Sequence, residues 1–234
     1  MIDLLVPTRH RPQRIRILLQ SIVDTADNLD AVHVYMYVDE DDDIMGSEIA
    51  AIQREFPFTT YQRGDRICLS KMWNSLWSIS TGDICMHAGD DIVFESPHWD
   101  TLVEQAFAAV PDRILLVYGD DYIQHAKIAT HSFTHRNAHK VWGYFVPPYF
   151  VSDYNDTWLT EVYRKLGRMK YIQDIITHHY HFRANPEFTD DVYLDARERA
   201  PEAVAKWQET AVLRQQDIEK LRQYIDTFTK ENNR

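Results

Sequence analysis

The chain opens with Ile2-Asp3-Leu4-Leu5-Val6-Pro7, turns through Thr8-Arg9-His10-Arg11-Pro12, and continues as Gln13-Arg14-Ile15-Arg16-Ile17-Leu18-Leu19-Gln20-Ser21-Ile22-Val23. The first run is short and apolar, as expected of a strand covered on both faces. Ile15, Leu18, Leu19, Ile22 and Val23 recur at helical spacing, so a helix is predicted from Gln13 to Thr25. The same unit then repeats. Val32 to Val38 reads as a second strand, followed by acidic residues Asp39 to Asp43 and a helix through Ile49, Ile52 and Phe56. Phe58 to Tyr61 is a third strand. Leu69 to Ile79 is a helix on Met72, Trp73, Leu76 and Trp77, with Gly82 expected just past its end as a left-handed stop. Asp83 to His87 is a fourth strand ending at Gly89-Asp90-Asp91. Pro97 starts a helix, and Ile114 to Tyr118 is a fifth strand. Strand and helix alternating over 120 residues predict an α/β fold with a mostly parallel central sheet flanked by helices.

After Asp121 the rhythm changes. Residues 122–150 hold His125, His131, His135 and His139 among aromatics without a clear period. A helix is expected from Asp153 to Leu166, with Asp153 as its cap and Gly167 ending it. Met169 to Thr177 reads as a strand running into His178-His179-Tyr180-His181. From Asp190 the chain is dominated by helix-forming residues interrupted by Pro201, and the last six residues are expected to fray. That composition divides the chain into 1–189 and a helical C-terminal segment, 190–234, packed on or projecting from the same domain. Its charges are mixed and no heptad is sustained, so it carries no coiled-coil signal.

Composition mainly excludes. Seven glycines in 234 residues are under half the usual share of about 7%, and they lie far apart. Neither G-x-G-x-x-G nor G-x-x-x-x-G-K-[ST] can be written from them, which removes fingerprint dehydrogenases and P-loop NTPases. The net charge of -11 argues against binding nucleic acid through a broadly basic surface. Cys68 and Cys85 are the only cysteines. With no C-x-x-C pair and no signal-peptide pattern at the N-terminus, a cytoplasmic protein is expected.

In an open α/β sheet, ligands bind beyond the carboxyl ends of the strands. Those ends carry Pro7-Thr8-Arg9-His10-Arg11, Asp39 to Asp43, and Gly89-Asp90-Asp91, three polar clusters converging on one crevice. Neighbouring carboxylates on a strand point opposite ways, so one of Asp90 and Asp91 can hold a divalent cation while the other accepts from a hydroxyl. The same pair also suits a solvated turn. Gly119-Asp120-Asp121 repeats the triplet after the next strand, and there the turn is the preferred reading.

Taken in order, these residues resemble the GT-A-fold glycosyltransferases of the family-2-like group, including small phage-type members. Val6 to Pro12 is similar to that family's "vPTRnRP" opening and Val38-Asp39 to its second-strand aspartate. Lys71 to Asn74, Gly82-Asp83-Ile84 and His87 to Phe94 resemble its "sk.wN.l...a.GD.i...gDDi.f" stretch. Tyr154 to Leu159 stands where the family has its x-E-D base, and Thr177 to His181 with Asp190 to Tyr193 resembles an "eHmHp…D.ty" ending. The resemblance covers roughly residues 2–193, with 122–150 unmatched. Gly89-Asp90-Asp91 replaces the usual D-x-D.

The resemblance implies a metal-dependent, inverting glycosyltransferase that moves a sugar from a nucleotide-sugar donor, expected to be a UDP-sugar, onto an acceptor hydroxyl. It implies Asp91 and His179 as ligands of a divalent Mn2+ or Mg2+, with His181 as the alternative to His179. Pro7, Thr8, Arg9, Asp39, Arg66, Lys71 and Asp90 would hold the nucleotide, Asp39 at the base and Asp90 at the ribose or metal. Asp156 would be the general base. The acceptor would be a glycan, a small molecule or modified DNA. His131, His135, Arg136, His139 and Lys140 make residues 122–150 locally basic. Either the segment is an acceptor loop suited to phosphate, as in hydroxymethylated phage DNA, or it is a packed loop with ordinary histidines. Two further readings compete: a nucleotidyltransferase on a related sheet, and a non-catalytic nucleotide-sugar-binding protein.

Overall fold

The computed structural model describes residues 1–232; Asn233 and Arg234, the tip of the expected frayed end, lie outside the described residues. Eight strands form one sheet. Four of them are parallel and adjacent: β1 (Ile2–Thr8), β2 (Val32–Asp39), β3 (Thr59–Gly64) and β4 (Ile84–His87), in the spatial order β3-β2-β1-β4. β1 sits in the middle because α1 (Pro12–Thr25) carries the chain to one side of it, and α3 (Leu69–Ile79) later returns the chain to the other. Strand order therefore reverses at β1, and loops leaving its carboxyl end diverge, which opens a crevice there.

Alternation along each strand divides the core. Leu4 and Val6 of β1, with Val34, Met36 and Val38 of β2, pack on one face under α1, α2 (Asp43–Glu55) and α4 (Trp99–Ala108). Leu5, Tyr35 and Tyr37 point through the other face onto Trp73 and Leu76 of α3. Both faces being covered, the strand needs apolar residues at nearly every position, which is why no alternation shows in its sequence.

Beyond β4 the pattern departs from a simple parallel repeat. β5 (Ile92–Phe94) and β7 (Ser132–His135), three and four residues long, were not expected as strands. β7 inserts antiparallel between β4 and β6 (Leu116–Asp120), and β8 (Met169–His179) runs parallel to β6 with β5 antiparallel at its edge. Strands this short carry too few residues for a period to register. After β7 come α5 (Arg136–Trp142) and α6 (Asn155–Lys165).

The C-terminal segment forms α7 (Asp191–Glu198), α8 (Ala200–Glu209) and α9 (Ala211–Asn232). Pro201 falls in the first turn of α8, where its missing N–H costs nothing. Ile218 and Leu221 of α9 join the core beside α5 and α6. Residues 229–232, expected to fray, continue α9. No helix among the described residues is long and apolar enough to cross a membrane.

Two local expectations are corrected. Gly82 does not stop α3, which ends at Ile79 with Ser80 as its cap. Instead the N–H groups of Thr81 and Gly82 donate to Asp3 Oδ2 at 2.9 and 2.6 Å, and a Cβ on Gly82 would sit 2.7 Å from that carboxylate. Nor does Asp153 cap α6. The cap position is Tyr154, at φ 77°, while Asn155 anchors the helix start by accepting from Ser70 Oγ at 2.8 Å.

Candidate active site

A cavity of about 320 Å³ opens at the carboxyl ends of β1, β2 and β4, and its wall includes Pro7, Thr8, Arg9, Asp39, Arg66, Asp90, Asp91, Asp156, His179 and His181. Ten of the eleven residues singled out in the sequence therefore meet in one place. Lys71 is the exception. It follows Ser70, which α3 turns inward with Trp73, so its own side chain is exposed and off the cavity wall.

At one end, buried Asp39 accepts from Arg9 Nη1 at 2.8 Å through Oδ2, and Arg9 also holds Asp41. Asp39 Oδ1 is buried without a partner among the described residues. Burial raises this carboxyl's pKa and Arg9 draws it back, the first effect winning. Asp42, from the same acidic run, is structural: it caps α2 by accepting from Met45 N–H at 2.9 Å and also accepts from His10 N–H. Arg66 is partnered, donating to Asp195 of α7 at 2.7 Å.

At the centre, the adjacent carboxylates have separate partners. Asp90 accepts from Thr8 Oγ1 at 2.9 Å and from Arg11 Nη1 at 2.6 Å, and Arg11 simultaneously grips Asp190 through Nε and Nη2 at 2.8 and 2.7 Å. Asp90 is thus an anchor between the first loop and α7, not part of the carboxylate–imidazole cluster. Asp91 points the other way, its Oδ2 3.4 Å from His179 Nε2. One ligand atom each from Asp91, His131 and His179 lies within 4.8 Å of the others.

His131, read in the sequence as part of a basic loop, arrives here because the unexpected strand β7 pairs Ser132 opposite His87. His131 Nδ1 is buried and without a partner. Gly89 keeps the space open, since a Cβ there would fall 2.3 Å from Asp91 Oδ1 and 3.4 Å from His131 Nε2. Burial alone would raise the Asp91 carboxyl, but His179, His131 and the hydroxyl of Tyr193 together hold it well below the usual carboxylate range. Burial pushes His131 well below its ordinary value, with His179 adding to the effect. A carboxylate with two imidazoles suits Mn2+ or Zn2+ better than Mg2+, which prefers oxygen alone.

The three histidines at the carboxyl end of β8 separate: His178 and His179 alternate within the strand and His181 follows it. His178 turns outward to Glu95 at 2.8 Å. His181 lines the cavity with its ring 4.8 Å from that of His179, yet stays outside the Asp91 cluster, its Nδ1 accepting from Arg183 N–H. Burial, then His179, pushes it down to about 4. Tyr193 of α7, singled out only as part of the C-terminal motif, donates its hydroxyl to Asp91 Oδ2, with Arg11 4.4 Å over its ring.

Asp156 stands in the first turn of α6. Its Oδ1 accepts from Thr157 N–H at 2.6 Å, and burial raises its carboxyl pKa. A smaller hollow adjoins the cavity here and shares Gln124, Asp153, Asp156, Arg183 and Arg197 with it.

Most of the remaining polar residues from 122–150 serve packing. His139 is fully buried against Thr134 at 2.9 Å, Arg136 donates to the Gly82 and Ser80 carbonyls, and His135 caps α5. Trp142, Phe145 and Phe150 are core residues and Tyr144 packs against them. Of the two readings, the packed loop describes most of this segment: a short strand and helix take up His135, Arg136 and His139, while Lys140 stays exposed.

No protein-family model matches the sequence, and no curated protein matches it by sequence. Solved structures do share its fold. The mannosyltransferase PcManGT from Pyrobaculum calidifontis, in complex with GDP-Man and Mn2+, gives a TM-score of 0.61 at 16% identity over 76% of this chain and 56% of that one. S. aureus TarS 1-349 in complex with UDP gives 0.59 at 13% identity, over 75% and 59%. Its complex with UDP-GlcNAc gives 0.55 at 14% identity, over 75% and 57%. This chain spans less than two thirds of each. The shared architecture is the GT-A fold, a curled sheet flanked by helices.

Proposed function

We propose that the protein is a metal-dependent glycosyltransferase that takes a sugar from a nucleoside diphosphate. The observation that carries this reading is the pairing, in one cavity, of an unpartnered buried carboxylate oxygen on Asp39 with the Asp91–His131–His179 cluster. A nucleobase presents N–H groups that Asp39 Oδ1 would accept, with Pro7, Thr8 and Arg9 beside it. A divalent cation held by Asp91, His131 and His179 would offset the charge of the leaving diphosphate. The fold-mates bound to UDP, UDP-GlcNAc and GDP-Man with Mn2+ support the ligand class.

Asp156 takes the proton from the acceptor hydroxyl. Its raised pKa strengthens it as a base, and its Oδ1 bond to Thr157 holds the carboxylate in place. Attack from the Asp156 side, opposite the diphosphate, would invert the anomeric carbon. An acceptor entering by the adjoining hollow meets Arg183 and Arg197, which suits a glycan, small molecule or modified DNA that carries phosphate. Residues 1–189 act as the catalytic unit, and the helical extension from 190 lends Asp190 and Tyr193 to the rim of the site. Two free cysteines suit a cytoplasmic setting.

A thermal-shift panel of UDP, GDP, CDP and their sugars, with and without Mn2+, tests the reading. Stabilisation by at least one nucleoside diphosphate that requires the metal is the expected result. A flat panel in the presence of Mn2+ overturns it.

A further inference from the structure

Gly119-Asp120-Asp121, which the sequence offers as an ordinary turn, holds a feature that a turn does not need. Asp121 directly follows β6 and is 4% exposed. Its Oδ1 accepts from three successive N–H groups, those of Ile123, Gln124 and His125, at 2.9, 2.6 and 3.1 Å. That oxygen, together with Asp120 Oδ1 accepting from Tyr122 N–H at 2.7 Å, accounts for the loop, including the left-handed φ of 62° at Tyr122 and 50° at His125. The second oxygen, Oδ2, is buried and has no partner among the described residues, and Asp121 lines the cavity. A buried acceptor without a donor costs about 1–3 kcal/mol, so such groups in a native protein call for an explanation.

Other residues lining the cavity also carry orphaned atoms: among the described residues, Thr130 Oγ1, His131 Nδ1 and Ser152 Oγ are buried without partners. Asp121 lies on the far side of the carboxylate–imidazole cluster from Asp39: its own carbonyl accepts from His179 N–H at 3.4 Å. Gln124 of the same loop lines both the cavity and the hollow beside Asp156. The loop that carries the unpaired oxygen therefore borders both the carboxylate–imidazole cluster and the hollow beside Asp156.

We infer that Asp121 Oδ2 accepts a hydrogen bond from a hydroxyl of the donor's sugar and so selects which sugar is transferred. The inference rests on the donor-site reading above. A carboxylate accepts only, so the group it reads must be an O–H or N–H. A sugar presenting a carboxylate or an ether oxygen at that position would be repelled or left unpaired.

The substitution Asp121→Asn tests this on the full chain with Mn2+. The amide oxygen remains on the three loop N–H groups, while an NH2 replaces the unpaired acceptor. Calorimetric titration with UDP and GDP should change by no more than about twofold. Affinity for whichever UDP- or GDP-linked hexose binds the wild type most tightly should fall about 10- to 100-fold, as for a lost hydrogen bond to a charged group. An unchanged sugar-nucleotide affinity overturns the inference, as does an equal loss for the bare diphosphate. Wild type that binds no nucleoside diphosphate overturns the donor site itself, and this inference with it. Wild-type titration with singly deoxygenated analogues of that hexose gives a test independent of the variant's folding. Removal of one particular hydroxyl should cost at least about tenfold; a cost below about twofold at every position rejects Asp121 as the reader.

Discussion

Arg11 and Asp90 form an ion pair at 2.6 Å in which the side chains are 7% and 6% exposed, and the remaining nitrogens of the same guanidinium hold Asp190. This links the loop after β1, the end of β4 and the start of α7. Asp90, expected at the ribose or metal, is here paired with Arg11 and Thr8. Removing one partner of such a pair leaves an uncompensated buried charge. Arg11→Met should therefore cost about 3–5 kcal/mol of unfolding free energy, measured by urea denaturation. A loss under about 1 kcal/mol would show that the pair is not part of what holds these elements together.

Tyr193 donates to the carboxylate oxygen of Asp91 that faces His179, so a cation entering the cluster competes with a phenol. Tyr193→Phe deletes the hydroxyl and keeps the ring beneath Arg11. Manganese affinity, read by calorimetry, should rise about tenfold, the worth of one hydrogen bond to a charged acceptor. Weaker manganese binding would mean that the hydroxyl instead supports the bound state.

His131→Ala removes one of the three cluster donors while leaving β7 and its pairing to β4 in place. Mn2+ should then bind at least about tenfold more weakly. Because a ligand stabilises only the state it binds, the Mn2+-dependent rise in melting temperature should shrink with it. An unchanged rise would remove His131 from the donor set.

Asp156 must be ionised to act as a base, and burial raises its pKa. Activity should therefore fall as pH drops through an inflection above the ordinary carboxylate value of about 3.9. The folded-state carboxyl holds its proton more tightly than the unfolded one, so its contribution to stability is complete at low pH and is lost as pH rises through the raised pKa. Asp156→Asn should abolish transfer, preserve donor binding and raise the melting temperature slightly at neutral pH. Retained turnover would remove Asp156 from the mechanism.

Gly82→Ala would place a methyl group 2.7 Å from the Asp3 carboxylate, which accepts two N–H groups there and is fully buried. A cost of about 1–3 kcal/mol is expected, as for other overpacked interiors. A neutral effect in thermal denaturation would show that Asp3 can move aside.

What the amino-acid sequence determined by itself was everything that depends on near neighbours along the chain. The apolar run at Ile2–Val6 and the helical spacing from Ile15 to Ile22 are local patterns, and so is the acidic end of each strand. Together they specified the parallel half of the sheet and brought Thr8, Arg9, Asp39, Asp90 and Asp91 to one crevice. Only the tertiary structure decided how those charges are shared. Asp90 went to Arg11 and Asp190, which lies 179 positions from Arg11 in the chain. Asp91 went to His131 and His179. Lys71, chosen by motif, was turned to solvent by the phase of α3. His131 came in on a four-residue strand too short to leave a period, and the second oxygen of Asp121 was left without a partner. Such outcomes follow from distances between side chains that are far apart in sequence, where burial makes each unpaired charge costly and three-dimensional packing alone chooses its partner.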